Sequence, residues 1–112
     1  MRIAIPTISG KVSPHFGHCE KFMFFDVDGD GRTISGSESL APPPHEPGAL
    51  PEWLGQQGAT LVIAGGMGGR AQQLLARKGI EVVCGVPEMD GEKVAKEYLA
   101  GNLEAGGNLC DH

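Results

Sequence analysis

An apolar run that ends in a cluster of glycines constrains the fold of this chain more than any other stretch. Residues 61–64 read Leu-Val-Ile-Ala, residues 65–69 contain four glycines, and a helical pattern then runs to about residue 78. This pattern predicts a buried strand, a tight turn and the N-terminus of a helix. Glycine allows close approach of a ligand, and the first N–H groups of a helix attract anions. We therefore expect residues 65–69, the glycine loop, to form one wall of a ligand site at the carboxyl end of a strand.

The remaining sequence predicts alternating elements of an α/β fold. Strands are predicted at residues 2–6, 21–28, 32–40, 60–64 and 80–84. Helices are predicted at about residues 48–58, 69–78 and 90–100, the last with Asp90 as its N-cap. Residues 11–20 read as an irregular loop, and the proline-rich residues 41–47 as an extended crossing. The order predicts a three-strand meander followed by alternating helices and strands, in a mixed sheet with helices packed on it.

Length and charge exclude several classes of protein. A chain of 112 residues predicts a single domain over residues 1–112, in which residues 101–112 form a glycine-rich tail. The net charge of -5, with scattered basic residues, argues against a nucleic-acid partner. Apolar stretches all fall short of the roughly 18 residues of a membrane span, so no membrane partner is expected. Three cysteines, an odd number, fit a reducing compartment, and we expect a cytoplasmic protein.

The segment Ser-Pro-His-Phe-Gly-His-Cys at residues 13–19 holds two imidazoles and a thiol within five residues. His15, His18 and Cys19 are of the ligand types that suit iron, copper or zinc. The spacing is not that of a zinc finger. The alternative is structural: the histidines bond to backbone, and Cys19 is a small buried hydrophobe.

Two further segments carry ligand types. The chain ends in Cys110-Asp111-His112, which either closes over a site or forms a disordered tail. His45 lies in the proline-rich crossing. A metal site needs these residues to converge in space, which the sequence does not show.

The glycine loop also invites a nucleotide interpretation. Residues 66–71 fit G-x-G-x-x-A, but the next predicted strand ends in Val-Val-Cys without the acid that would hold a ribose. Arg70 in the first helical turn is suited to pairing with an anion, or is simply solvated. Nucleophilic catalysis has little support, because adjacent residues such as His18 and Cys19 seldom face one another.

Taken together, three segments resemble the dinitrogenase iron–molybdenum cofactor biosynthesis family. They are Ser-Pro-His-Phe-Gly-His-Cys, Val-Ile-Ala-Gly-Gly-Met-Gly-Gly-Arg-Ala and Gly-Ile-Glu-Val-Val-Cys-Gly, and the resemblance spans nearly the whole chain. It implies a ribonuclease H-like three-layer α/β fold with a five-stranded mixed sheet and flanking helices, without nuclease activity. The Cys-Asp-His ending is similar to that of stand-alone members of the family rather than of dedicated nitrogenase carriers.

The resemblance also implies a function: non-catalytic binding of an iron–sulfur or molybdenum-containing cluster, or its precursor, between donor and acceptor proteins. A histidine of the His-Phe-Gly segment is the expected cluster contact, which corresponds to His15. The expected cofactor-binding residues are His15, His18, Cys19, Gly66, Gly68, Gly69 and Arg70. The expected metal ligands are His15, His18, Cys19, His45, Cys110 and His112.

Two other functions stay open at this point. One is a small-anion or nucleotide-binding regulatory module that uses the glycine loop, and the other is a simple zinc or copper protein. Phe22, Phe24 and Phe25 indicate either a core face or an apolar surface for a homodimer.

Overall fold

The computed structural model describes residues 1–17, 19–44 and 48–103. The strands are β1 (Arg2–Ile8), β2 (Lys11–Val12), β3 (Lys21–Val27), β4 (Ile34–Leu40), β5 (Leu61–Ile63) and β6 (Glu81–Val83). The helices are α1 (Ala49–Gln56), α2 (Gly69–Arg77) and α3 (Gly91–Leu99). None of these helices is long and apolar enough to cross a bilayer.

The strands form one mixed sheet in the order β4-β3-β1-β5-β6, with β2 paired to β1. β1, β3 and β4 are antiparallel neighbours, as the predicted meander requires. β1, β5 and β6 run parallel. The carboxyl ends of these three strands therefore lie at one edge of the sheet, which we call the carboxyl edge, and the other end of the same strands is the amino edge.

Both faces of the sheet are covered by helices. On one face, Leu54 of α1 and Leu75 of α2 pack with Phe22 and Phe24. On the other face, Val94 and Ala95 of α3 pack with Phe25 and the remaining apolar strand residues. Neighbouring residues of a strand point to opposite faces, so Phe24 and Phe25 belong to different cores. Helices on both faces confirm the expected α/β architecture of a mixed sheet with flanking helices. The ribonuclease H-like comparison stays a prediction.

The sheet has six strands over the described residues, where five were expected. The additional strand is β2, whose residues pair antiparallel with the end of β1 through Thr7 with Val12 and Ile8 with Lys11. Ser9 and Gly10 connect the two strands with positive φ values of 54° and 80°. The predicted irregular loop at residues 11–20 thus begins with a strand too short to show a period of two in the sequence.

The three phenylalanines of β3 are core residues. Phe22, Phe24 and Phe25 are each at most 1% exposed. The suggestion that they supply an apolar surface for a homodimer is therefore wrong, because strand alternation places them in the two cores on opposite faces of the sheet.

Arg2 ties three strands together at the amino edge. Its guanidinium donates to both carboxylate oxygens of Asp26 on β3, at 3.0 and 3.1 Å, and to Glu38 on β4. It also lies over the Phe24 ring, 4.6 Å from the centroid. This ion-pair network belongs to the framework and lies at the end of β1 away from the carboxyl edge.

Candidate functional site

Three connecting segments lie side by side at the carboxyl edge. Residues 13–17 follow the β1–β2 hairpin, residues 64–69 follow β5, and residues 84–87 follow β6. Parallel strands bring such segments together because their carboxyl ends share an edge. We call the surface formed by these segments and the first turn of α2 the carboxyl-edge site.

Backbone hydrogen bonds join the three segments directly. The N–H of Phe16 donates to the carbonyl of Gly66 at 3.0 Å. The N–H of Gly65 donates to the carbonyl of Ser13 at 3.3 Å, and its carbonyl accepts from Gly85 at 2.8 Å. Gly65 therefore links both neighbouring segments into one hydrogen-bonded surface.

Gly65 is buried where no side chain fits. A Cβ atom at this position would lie 2.7 Å from the carbonyl oxygen of Ser13 and 3.0 Å from Cα of Pro14. Both neighbours are backbone atoms, so they have little freedom to give way. This close approach explains why the strand must be followed by glycine, independently of any ligand.

His15 is presented to solvent between two buried anchors. Ser13 is fully buried, and its hydroxyl donates to the carbonyl of His15 at 2.8 Å while accepting from the His15 N–H at 3.2 Å. Phe16 is 6% exposed and packs edge-on against Phe22, with ring centroids 5.9 Å apart. His15 itself is exposed. Because Ser13 and Phe16 are buried on either side of it, the backbone of His15 is held beside the glycine loop.

The first turn of α2 supplies backbone donors to the same surface. Its N-cap is Gly68, which provides no side-chain cap, and its first turn contains no acidic residue. The first N–H groups of a helix have no acceptor within the helix. A Cβ at Gly69 would meet no atom within 4 Å, so the space above this turn is open. The geometry suits an anionic ligand.

The glycine loop is held from behind. Met67 is 2% exposed and belongs to the core under α1 and α2. The side-chain amide of Gln72 donates to the carbonyl of Met67 at 3.1 Å, and its backbone N–H donates to Gly68. One core contact and one side-chain bond thus fix the loop in place.

Charge at the carboxyl-edge site differs from that of the whole chain. Residues 13–17 and 64–70 contain no carboxylate, although the chain has 14 acidic residues and a net charge of -5. Arg70 lies in the first turn of α2 and is exposed. The distribution of charge favours an anion here over a cation alone.

Cys19 differs chemically from an activated metal ligand. It is half-buried against the core under α1 and α2. Burial raises the pKa of its thiol to about 11, and a backbone hydrogen bond with Thr7 opposes this only in part. Since the thiolate is the metal-binding form, binding at this sulfur must displace a proton.

The predicted site residues separate into three groups. The carboxyl-edge site contains His15, Gly66, Gly68, Gly69 and Arg70. Cys19 lies partly within the core. The positions outside the described residues are His18, His45, Cys110 and His112. Across residues 1–17, 19–44 and 48–103, no three His, Cys, Asp or Glu side chains are grouped so that they could hold a metal ion.

Ser13 and Phe16 shape the site but were not among the predicted contacts, and Gly65 was expected only as part of the glycine loop. Signals for them exist in the sequence. Phe16 is a large apolar residue within a loop, which is typical of an anchor, and Gly65 begins the glycine run. The role of the Ser13 hydroxyl has no comparable signal, because it depends on a local turn conformation.

Comparisons with known proteins agree with this architecture. The family model described as dinitrogenase iron-molybdenum cofactor matches residues 1–101. An uncharacterized protein of Methanocaldococcus jannaschii is 31% identical over 107 residues, which is 93% of this chain and 90% of that protein.

Solved structures give the same result. The crystal structure of PH0822 has a TM-score of 0.88 and 33% identity, covering 97% of each chain. The apo form of the orange protein from Desulfovibrio gigas has a TM-score of 0.75 and 23% identity, covering 95% of this chain and 92% of that one. The second likeness concerns the fold alone. The family match over residues 1–101 establishes that the chain belongs to the dinitrogenase iron–molybdenum cofactor family.

Proposed function

We propose that this protein is a non-catalytic carrier of an iron–sulfur or molybdenum-containing cluster, or of its precursor, and that the cargo binds at the carboxyl-edge site. The single observation that carries the proposal is the pair of hydrogen bonds from Phe16 to Gly66 and from Gly65 to Ser13. These bonds hold the exposed imidazole of His15 on the segment next to a carboxylate-free glycine loop. Membership of a family named for the iron–molybdenum cofactor supports a metallocluster as the cargo.

The residues of the site fit such a cargo. A metal–sulfur cluster is commonly a polyanion, and backbone N–H groups of a glycine loop and a helix N-terminus favour anions. An imidazole is a suitable ligand or hydrogen-bond donor for iron or for a bridging sulfide. Gly69 is exposed and a Cβ atom there would meet no neighbouring group within 4 Å, so a cargo can approach the first turn of α2 from solvent.

A carrier also has to release its cargo to an acceptor. One exposed histidine and a set of amides bind less tightly than a closed cage of four thiolates, and so allow exchange. The remaining candidate ligands are His18, Cys19, His45, Cys110 and His112. In this proposal they make further contacts with the cargo besides that of His15. Cys19 does so only where a metal displaces the proton of its thiol.

The nucleotide-binding alternative uses the same amides but lacks further support. β6 ends in Val83 and is followed by Cys84, so no acid is placed to hold a ribose. The family match likewise concerns a metal cofactor rather than a nucleotide.

The test uses protein purified anaerobically without metal. Wild type is titrated with tetrathiomolybdate and, separately, reconstituted with iron and sulfide, and visible absorption and metal content are measured after desalting. His15→Ala is the test variant. Gln56→Ala, an exposed residue at the end of α1, is the matched truncation at the amino edge.

The proposal expects a coloured wild-type complex, a matching complex of Gln56→Ala, and a loss of at least about tenfold in affinity for His15→Ala. A wild type that stays colourless and metal-free in both arms would refute it. Stabilisation by nucleotides or phosphate instead would support the anion-binding module, and tight binding of zinc or copper alone would support a simple metal site.

A further inference from the structure

Ser13 has an unusual set of hydrogen bonds for a residue without a charged or ligating side chain. Its side chain is fully buried, yet its hydroxyl bonds both the carbonyl and the N–H of His15, at 2.8 and 3.2 Å. Bonds of this kind between a serine hydroxyl and the backbone two residues later define a local turn. The turn fixes the backbone of the residue that carries the exposed imidazole.

The backbone of Ser13 connects the same turn to the framework. Its N–H donates to the carbonyl of Pro6 on β1 at 2.8 Å, and its carbonyl accepts from Gly65 at 3.3 Å. Ser13 therefore joins the central strand, the glycine loop and the His15 backbone. The residue between Ser13 and His15 is Pro14, whose ring restricts φ and limits the turn further.

We propose that Ser13 is a positioning residue for cargo binding, whose hydroxyl holds the backbone of His15 in place beside the glycine loop. The inference rests on the proposed function, because it assigns Ser13 a role in the contact made by His15. Ser13 does not touch the cargo. By ordering the His15 backbone in advance, it reduces the loss of conformational entropy when the cargo binds.

A purely structural hydroxyl would behave differently. It would stabilise the fold, and its loss would weaken binding by the same factor whether or not the imidazole is present. A positioning hydroxyl acts only through His15, so its loss has no effect on binding once the imidazole has been removed. A double-mutant cycle separates these two roles.

The experiment measures the affinity for tetrathiomolybdate in wild type, Ser13→Ala, His15→Ala and the double variant. Loss of the hydroxyl is expected to weaken binding about 3- to 10-fold in wild type. In the His15→Ala background the same change is expected to leave the affinity unchanged. An equal loss in both backgrounds, or no loss in either, would overturn the positioning role.

Amide hydrogen exchange of His15 provides an independent arm that needs no cargo. The His15 N–H is expected to exchange at least about tenfold more slowly in wild type than in Ser13→Ala, because the Ser13 hydroxyl accepts its hydrogen bond. If the wild-type amide exchanges as fast as in an unstructured peptide, the inference is wrong even if Ser13→Ala does not fold.

The two proposals fail in different ways. A wild type that binds neither tetrathiomolybdate nor an iron–sulfur cluster removes the proposed function, and the positioning role is lost with it. A wild type that binds, together with a Ser13→Ala variant of equal affinity, removes only the positioning role.

Discussion

The carbonyl oxygen of Ser13 lies so close to Gly65 that a methyl group on Gly65 would approach it to 2.7 Å. Ser13 begins the segment that carries His15, and Gly65 begins the glycine loop. Their contact places the exposed histidine and the backbone proposed to bind an anion side by side on one surface. The framework brings this about through parallel β1 and β5, whose carboxyl ends lie side by side.

Alanine substitutions in the glycine loop are expected to differ sharply between two positions. Gly65→Ala should lower the free energy of unfolding by about 1–3 kcal/mol, because the new methyl group meets backbone atoms. Gly69→Ala should leave it unchanged or raise it by up to about 1 kcal/mol, since its Cβ meets nothing within 4 Å and alanine favours helix. Urea denaturation of both variants checks this, and equal losses would contradict the close approach at Gly65.

Loss of the Phe16 side chain is expected to reduce stability, whereas loss of the His15 side chain is expected to reduce cargo binding. Phe16→Ala should cost about 3–5 kcal/mol of unfolding free energy because it empties a buried site against Phe22. His15→Ala should change stability by no more than about 0.5 kcal/mol, since its side chain is exposed, yet weaken cargo binding. Denaturation curves and tetrathiomolybdate titrations of both variants give the comparison. A strongly destabilised His15→Ala would mean that the histidine has a structural role.

Alkaline pH is expected to destabilise the fold through Cys19. The folded-state pKa of about 11 lies above the ordinary value of 9.0, so the folded protein holds the thiol proton more tightly. The stabilisation is complete below pH 9 and is lost as the pH rises through 11. After allowance for partial exposure of the thiol, the loss amounts to about 1–2 kcal/mol.

The check on this effect compares urea denaturation at pH 8 and pH 11 in wild type and Cys19→Ala. Lysine and tyrosine titrations affect both proteins alike, so the difference isolates Cys19. An identical pH dependence in the two proteins would show that the thiol titrates in the folded state as it does in the unfolded chain.

Arg2 offers a test that separates the framework from the site. Arg2→Ala should lower the unfolding free energy by about 1–3 kcal/mol, because it removes two partly buried hydrogen bonds to Asp26 and an exposed one to Glu38. Cargo affinity should stay within about twofold of wild type, because Arg2 lies at the amino edge. Arg2→Lys keeps the charge but not the bidentate geometry, so its stability should lie between those of wild type and Arg2→Ala. A large loss of affinity in a folded Arg2→Ala would place this network in the binding site.

Much of the central framework could be predicted from the sequence. The apolar run, the glycines and the helical pattern predicted a strand at residues 60–64 and a helix to about residue 78, and the structure has β5 (Leu61–Ile63) and α2 (Gly69–Arg77). Asp90 was expected as an N-cap, and its carboxylate accepts from the Lys93 N–H at 3.1 Å. These features depend on local patterns, which a sequence displays directly.

Very short strands and the covering of a sheet face could not be predicted. β2 has only two residues and exists because Val12 pairs back to Thr7. The burial of Phe22, Phe24 and Phe25 depends on helices covering both faces of the sheet, so the same apolar pattern also suggested a dimer surface. A pattern of side chains in one strand does not show what covers it.

The candidate site also depends on contacts that local sequence patterns do not show. The sequence separately indicated His15 and the glycine loop, but the hydrogen bond from Phe16 to Gly66 joins residues fifty positions apart. It follows from the parallel pairing of β1 with β5, which no local pattern specifies. The cluster contacts proposed for His18, His45, Cys110 and His112 stay predictions.

The most direct test of the account maps the cargo onto the chain by NMR. Tetrathiomolybdate is added anaerobically to ¹⁵N-labelled protein, and shifts of backbone amides are recorded residue by residue. The largest shifts are expected in residues 15–17 and 66–71, with no change at Gly58 and Gly79 near the amino edge. Shifts confined to the amino edge, or none near His15 and Gly69 under conditions where the cargo is bound, would contradict it.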